Sequence, residues 1–144
     1  MRTDEDIQPG VAATLVRPGA ARTTATSTHA GSTVVDPAVQ SLLDRVGPAM
    51  RSLFHGRCPD AVLLSQVAAE ARAALVAEGV DHPANARVLD RTATLLSGAV
   101  IAATLVREWG DPAHGRPIPP CSSCAPVLEA LGVRVAEGID GIEP

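Results

Sequence analysis

A continuous apolar segment near residue 100 constrains the fold more than any other part of the sequence. The segment "GAVIAATLV", residues 98–106, has Thr104 as its single polar side chain and shows no alternation of polar and apolar positions. A strand with one face in water alternates with a period of two residues, whereas a strand covered on both faces is apolar throughout. We therefore predict that this segment is the central strand of a sheet that is covered on both faces.

Two earlier segments predict a β-hairpin. Residues 11–16, "VAATLV", and 21–28, "ARTTATST", are rich in β-branched side chains, and the intervening "RPGA" is a turn signal. Near the other end of the chain, "VRV" at residues 133–135 predicts a last short strand. The expected sheet therefore combines strands from both halves of the chain.

Two helices are predicted between the hairpin and the central strand. Asp36 and Pro37 suit a helix start, and an apolar stripe follows them as far as Gly47. Apolar residues then recur at spacings of three and four, which predicts a long helix from Cys58 to Gly79. The second of these helices has the clearer periodicity.

The remaining segments complete an α/β pattern. Residues 86–96 predict a further helical turn or two, "GDPAHGRPIPP" predicts a rigid loop, and residues 122–131 predict a short helix that ends at Gly132. The order of strands and helices predicts an α/β domain around a mixed sheet.

Composition is compatible with one domain, because 144 residues of which 46% are hydrophobic can bury a single core. We place this domain at residues 10–138, between a disordered tail at residues 1–9 and a short tail at residues 139–144. The charged start "MRTDEDIQPG" is followed by no apolar run long enough for a signal or a membrane span. We therefore expect a cytoplasmic protein that does not engage a membrane.

Charge and aromatic content argue against a general nucleic-acid binder. Sixteen acidic residues outnumber twelve basic ones, which gives a net charge of −4, and Phe54 and Trp109 are the two aromatic residues. Such a surface repels phosphates and offers no row of aromatic side chains on which bases could stack. We expect weak non-specific affinity for nucleic acid, and we expect Trp109 to lie in the core.

Three cysteines form the pattern that is most informative about function. "PPCSSC" places Cys121 and Cys124 three positions apart, and Cys58 is the third cysteine. A lone C-x-x-C is compatible with a redox pair, with half of a structural zinc site, or with two ligands of a catalytic metal. A catalytic zinc site takes three protein ligands and keeps a fourth position open. The count therefore favours zinc, and a redox pair beside an unrelated buried thiol is the alternative.

Each cysteine lies where a helix is predicted to begin. Cys58 precedes Pro59 and so occupies an N-cap, while Cys121 and Cys124 open the predicted helix of residues 122–131. Helix N-termini carry partial positive charge, which stabilises thiolates. Two such helix starts that face each other would hold a zinc thiolate cluster.

The segments "HGRCPDAVLLSQ" and "VREWGDPAHGRPIPPCSSCAPVLEALGVRV" combine a ligand, one residue and an acid at one helix start with Pro-Cys-x-x-Cys at another. This combination resembles the zinc-dependent nucleobase deaminases. It looks in particular like the YwqJ-type deaminases, a branch related to bacterial toxin deaminases, over roughly residues 10–137. The resemblance implies a three-layer α/β/α cytidine deaminase-like fold with a mixed central sheet.

Carried over by position, the resemblance implies that Cys58, Cys121 and Cys124 are the zinc ligands and that Asp60 is the general acid and base. The implied function is zinc-dependent hydrolytic deamination of cytosine or adenine in a base, nucleoside, nucleotide or nucleic acid. The family places Glu where this chain has Asp60. The shorter side chain withdraws the carboxylate by about one bond length, and a displacement of ~1 Å can lower a rate on the order of 100-fold.

Further expectations concern the substrate and partners. His55, three residues before Cys58, and His114 and Arg116, in the loop before Cys121, could line the mouth of a pocket and contact a base or phosphate. The acidic charge and scarce aromatics favour a free base, nucleoside or nucleotide over a long polynucleotide. The resemblance also implies a toxin-like role beside a SUKH-type immunity protein.

Two other function classes stay open at this point. A non-catalytic deaminase-like module would keep zinc as a structural element and bind a nucleotide or a protein partner. A thiol redox protein would instead carry a disulfide between the cysteines of the C-x-x-C motif and no metal.

Overall fold

The computed structural model describes residues 10–26, 35–50 and 58–136, which form a mixed five-stranded sheet with helices packed on it. The strands are β1 (Gly10–Val16), β2 (Thr23–Thr26), β3 (Val100–Val106), β4 (Pro117–Ile118) and β5 (Arg134–Val135). The helices of the described residues are α1 (Pro37–Leu43), α2 (Pro59–Ala77), α3 (Asn85–Leu95) and α4 (Cys124–Ala130), with a 3-10 turn at Pro48–Met50. The two predicted tails lie outside the described residues.

β3 is the strand around which the sheet is built. β1 pairs with it antiparallel along its whole length, from Gly10 opposite Val106 to Val16 opposite Val100. The other edge of β3 is shared by β4, which is antiparallel, and β5, which is parallel. β2 pairs with the outer edge of β1, so the predicted hairpin and the predicted central strand are both confirmed.

Both faces of β3 are buried, which explains why its sequence does not alternate. Ile101 and Ala103 join a core cluster that includes apolar residues from all four described helices. Val100 and Ala102 face the opposite way and form a second cluster with Val16. The α/β class and the mixed sheet are thus confirmed, and burial on both faces is what a three-layer arrangement requires.

Three details differ from the sequence-based expectation. The loop "GDPAHGRPIPP" contains β4, whose Pro117 is tolerated because an edge strand can lack a ladder N–H. α3 is longer than the one or two turns expected from residues 86–96. The helix predicted from residue 122 begins at Cys124, after a turn.

Trp109 was expected in the core, and this expectation is wrong because its side chain is 100% exposed. Turn residues explain the difference: Gly110 adopts a φ of +89°, which favours glycine, and Pro112 follows it. Smaller Ala, Val and Leu side chains fill the core instead.

A buried polar contact joins the start of α1 to the side of α2. The Asp36 carboxylate accepts hydrogen bonds from the backbone N–H of Ala38 and from Arg72, both at 2.8 Å. The backbone N–H of Asp36 donates to the Ser65 hydroxyl at 3.0 Å. One residue thereby caps α1 and ties it to the middle of α2.

No helix within the described ranges is long and hydrophobic enough to span a membrane.

We predict that Asp36→Ala lowers the free energy of unfolding by about 2 to 4 kcal/mol, because it removes a helix cap and leaves Arg72 without its charged acceptor. Asp90→Ala, which removes an exposed carboxylate from α3, is the matched control and should change stability by less than about 0.5 kcal/mol. Urea unfolding of both variants measures the difference. Equal effects of the two substitutions would contradict the role given to Asp36.

Candidate metal centre

Cys58 lies at the start of α2, as its sequence predicts. It is the N-cap residue, with φ −70° and ψ 146°, and Pro59 takes the first helical position, where a missing N–H has no cost. Its carbonyl accepts the first helical hydrogen bonds, from Ala61 and Val62. The extended backbone at the cap places the side chain among buried neighbours, and Cys58 is 7% exposed.

Cys121 and Cys124 lie at the start of α4. The Cys121 carbonyl accepts hydrogen bonds from the backbone N–H groups of Cys124 and Ala125, at 3.1 and 2.9 Å. The N–H of Cys124 also lies 3.4 Å from the Cys121 sulfur, to which it donates. Pro126 falls in the first turn of α4, where its missing N–H has no cost. The helix start thus supplies a donor that stabilises negative charge on Cys121.

The three sulfur atoms come together although two helices carry them. All three Sγ atoms lie within 4.8 Å of one another, and the Sγ atoms of Cys58 and Cys121 are 2.8 Å apart. Cys58 and Cys124 are buried and Cys121 is partly exposed, with Ala61 packed against the group. In the part of the chain that the structure describes, no other group of three or more potential metal ligands occurs.

The donor set fits a metal ion of the zinc type. Thiolates suit Zn²⁺, and a Zn–S bond of about 2.3 Å in a tetrahedron separates two sulfurs by about 3.8 Å. The observed upper limit of 4.8 Å and the closest distance of 2.8 Å lie on either side of that value. Three cysteines would leave one tetrahedral position open, and Cys121 is the partly exposed member of the three.

Cys58 and Cys124 both have raised pKa values, so that their thiols retain their protons in the metal-free chain. The contact with Cys121 is the largest factor that raises the pKa of Cys58 above its ordinary value. Contacts with Cys121 and Cys58, followed by burial, raise the pKa of Cys124 in the same direction. Metal binding at such a site therefore releases protons, and affinity increases with pH.

Asp60 lies beside this cluster at the second position of α2, where its sequence places it. It is 4% exposed, and burial, with a smaller contribution from Cys121, raises its pKa to about 7. No residue of the described ranges donates a hydrogen bond to its carboxylate. Every fully buried side-chain oxygen in these ranges has a hydrogen-bond partner, so the carboxylate oxygens of Asp60 are not fully buried and retain contact with solvent. A carboxyl group that titrates near neutral pH can both accept and donate a proton.

The other predicted site residues are not joined to the cluster. His114 and Arg116 are exposed in the loop between β3 and β4, and the His114 Nδ1 accepts a hydrogen bond from the backbone of Arg107 at 3.0 Å. No hydrogen bond or ion pair within the described chain connects either side chain to the cysteines or Asp60. His55 lies outside the described residues.

Sequence reasoning passed over Ser123. This residue is fully buried between the two cysteines of the C-x-x-C motif, whereas Ser122 is exposed. Its place next to Cys124 at the helix start was the available signal, because the N-cap residue of α4 lies beside the buried cysteine.

Comparison with known proteins gives one match. The family model of the YwqJ-like deaminases matches residues 2–133 of the chain. Neither curated proteins nor solved structures provide a match. The matched range contains all three cysteines and Asp60.

The raised pKa of Asp60 predicts how stability changes with pH in protein stripped of metal by a chelator. The pKa is about 7 in the folded state against an ordinary value of 3.8, so the folded state binds more protons between these values. The contribution of protonated Asp60 to the free energy of unfolding is fully present below pH 3.8 and is lost as the pH rises through about 7. Its size is on the order of 4 kcal/mol.

The test compares thermal unfolding of the wild type and Asp60→Asn between about pH 5 and about pH 8, where other carboxylates are already ionised. The wild type should lose stability across this interval, and the Asn variant should show a flatter profile because it has no proton to lose. Histidine titration is common to both proteins and cancels in the difference. Identical profiles would contradict a buried, titrating Asp60.

Proposed function

We propose that this chain, which belongs to the YwqJ-like deaminase family, is a zinc-dependent hydrolase that removes the exocyclic amino group from cytosine or adenine. One observation carries the proposal: the buried Asp60 lies two residues after Cys58, which belongs to a cluster of three sulfur atoms within 4.8 Å of one another. Base deaminases of the zinc type use a carboxyl group at this spacing for proton transfer. Catalysis by Asp60 is accordingly the central element of the proposal.

We assign Cys58, Cys121 and Cys124 as the ligands. Zinc, when bound, supplies the Lewis acidity that makes water nucleophilic near neutral pH. The two helix starts orient the sulfur atoms before any ion binds, since the Cys124 N–H already lies 3.4 Å from the Cys121 sulfur. The partial exposure of Cys121 leaves one side of the cluster open to substrate.

Asp60 moves the protons of the reaction. Hydrolytic deamination forms a C–O bond at the ring carbon, breaks the C–N bond to the amino group and releases ammonia. Asp60 accepts a proton from the attacking water and delivers it to the neighbouring ring nitrogen, which makes the carbon electrophilic. It then carries the second proton of the water, from the new hydroxyl on the ring carbon, to the amino group, which leaves as ammonia. Burial raises the pKa of Asp60 to about 7 in the metal-free chain, and a bound cation would lower it, which favours the carboxylate that accepts the first proton.

The side chain of Asp60 is one methylene shorter than the Glu of the family. Since the first turn of α2 fixes its backbone, the missing methylene is not recovered by a shift of the helix, whose start Cys58 and Pro59 define. We therefore expect slow turnover. The same observation supports a second candidate, a zinc-binding module that holds a nucleotide or protein partner without chemistry.

The toxin-like role and a SUKH-type immunity protein as partner rest on the resemblance to the family, and cytoplasmic location rests on the sequence. These remain proposals. Ammonia release from substrates that contain cytosine or adenine decides between the two bases.

We predict one zinc ion per chain, bound through the three cysteines. Elemental analysis of protein purified without added metal should find it, and Cys121→Ser should lose most of it because two sulfur donors bind zinc weakly. Ser122→Ala is the matched control, since Ser122 lies inside the same motif with an exposed side chain, and it should retain zinc. A metal-free wild type with a disulfide between two of these cysteines would support the redox alternative.

We predict weak deamination by the wild type, none by Asp60→Ala, and an increase of about tenfold or more in Asp60→Glu, because Glu restores the lost reach. Ammonia release is measured on nucleosides, nucleotides and single strands that contain cytosine or adenine. All variants should retain zinc, which excludes loss of the metal as the cause. If Asp60→Glu is as inactive as Asp60→Ala on every substrate, the enzyme proposal fails and the binding module replaces it.

A further inference from the structure

The loop between β3 and β4, residues 107–116, presents a large aromatic side chain to solvent. Trp109 is 100% exposed, and it is the only tryptophan of the chain. Val106, at the base of the loop, is also exposed, at 39%. Large apolar side chains in full contact with water are unfavourable, and clusters of them usually mark a contact surface.

Hydrogen bonds within the loop hold it in one shape. At its base, the backbone of Leu105 bonds to Gly115 and Arg116, at 2.8 and 2.9 Å. The Asp111 carboxylate accepts from the N–H of Ala113 at 2.8 Å, and the backbone N–H of Arg107 donates to His114 across the loop at 3.0 Å. Trp109 is therefore displayed on a braced loop and does not need to be ordered by a partner.

Two cations flank the aromatic side chain in sequence. Arg107 and Arg116 form no ion pair with a carboxylate in the described part of the chain, whereas Arg17, Arg72 and Arg91 each do. The loop contains two acids, Glu108 and Asp111, and the Asp111 carboxylate already accepts the hydrogen bond from Ala113. The Arg107 guanidinium donates one hydrogen bond, to the Val106 carbonyl at 3.3 Å. An exposed ring with cations on either side that are not paired with carboxylates matches a base attached to a phosphate backbone.

The loop connects directly to the metal centre. Arg116 is followed by β4 and by Pro119 and Pro120, and Cys121 comes five residues after Arg116, at most about 17 Å away along the chain. Because its whole surface is in water, Trp109 does not line the buried space around Asp60. A base that reacts at the centre is therefore not the base that contacts Trp109.

From this arrangement we propose that Trp109 stacks on an unpaired base of a single-stranded polynucleotide, while another nucleotide of the same strand enters the metal centre. The inference rests on the proposed function, and it names a polynucleotide as the substrate class. It differs from the expectation of a free base, nucleoside or nucleotide, which rested on the acidic charge and the scarce aromatic residues of the whole chain. A mononucleotide in the centre would leave this side chain without a role.

The sole tryptophan makes its own fluorescence a specific reporter. Oligo(dT) and oligo(rU) of about 16 nucleotides are the probes, because thymine and uracil lack the reactive amino group and cannot turn over. We expect at least one of these strands to quench the tryptophan emission. Thymidine monophosphate or uridine monophosphate at the same base concentration should not quench it. Quenching that is equal with the mononucleotide, or absent with every strand, would overturn the proposal.

Variants separate stacking from general folding effects. Trp109→Ala should weaken oligonucleotide binding about tenfold, and Trp109→Phe should retain most of it, because a phenyl ring still stacks. Val76→Ala, which removes an exposed apolar side chain from α2, is the control and should bind as the wild type does. An equal loss in Trp109→Ala and Val76→Ala would contradict a specific contact.

Kinetics distinguish this inference from the proposed function. For a strand containing the reactive base, Trp109→Ala should raise KM about tenfold with kcat unchanged, and for a free nucleoside it should change neither constant. If the wild type deaminates nothing, the proposed function fails, and quenching still decides the role of Trp109. If oligonucleotides do not quench and Trp109→Ala weakens binding of a partner protein instead, the loop is a protein contact and the inference is wrong.

Discussion

Two helices begin beside each other although Cys58 and Cys121, at their starts, are 63 residues apart in sequence, and the whole candidate site depends on this meeting. α2 and α4 bury apolar faces in the same cluster as Ile101 of β3, with Leu64 and Leu128 among the fully buried members. Local motifs determine at which residue each helix begins, but the packing of both helices in the core determines how close the two starts lie in space. No local motif could therefore predict the distance of 2.8 Å between the sulfur atoms of Cys58 and Cys121. Packing of both helices against the central strand β3 thereby determines the relative positions of the three cysteines.

The buried centre combines groups that oppose one another when they are charged. Asp60 and the three cysteines share a volume from which most water is excluded, and their contacts and burial raise the pKa values of Cys58, Cys124 and Asp60. A divalent cation changes the sign of this interaction, since it stabilises thiolates and carboxylates alike. Groups that would repel one another as anions could then bind one cation together. The electrostatics of the centre thus favour metal uptake, and a bound cation would lower the pKa of Asp60 from its value of about 7 in the metal-free chain.

The sequence predicted the parts of this structure that depend on periodicity or on local backbone chemistry. The apolar run of β3, the hairpin of β1 and β2, and the N-cap position of Cys58 follow from such signals and are confirmed. β4 was missed because two residues that include Pro117 leave no pattern to detect. The distances between sulfur atoms could not be predicted, since they depend on packing between distant segments.

Trp109 shows how a residue type can mislead. Its hydrophobicity argued for the core, while its neighbours Gly110 and Pro112 argued for a turn, and the turn signals prevailed because the backbone cannot enter the core there without unpaired polar groups. Weighing those neighbours first would have placed the side chain on the surface. The same local chemistry that exposes Trp109 also closes the loop with hydrogen bonds.

One short segment therefore combines part of the core with the proposed metal ligands and the proposed substrate contact. Residues 100–124 contain the central strand, the loop that carries Trp109, and two of the three cysteines. A stacking residue on an unbraced loop would lose binding free energy to the ordering of the loop, whereas here Leu105 already anchors both sides of its base. In the proposed complex, the protein sets the spacing between a base on Trp109 and a base at Asp60. The number of nucleotides between the two bases would then be a property of the fold, and we expect a change in loop length to alter which nucleotide reaches the centre.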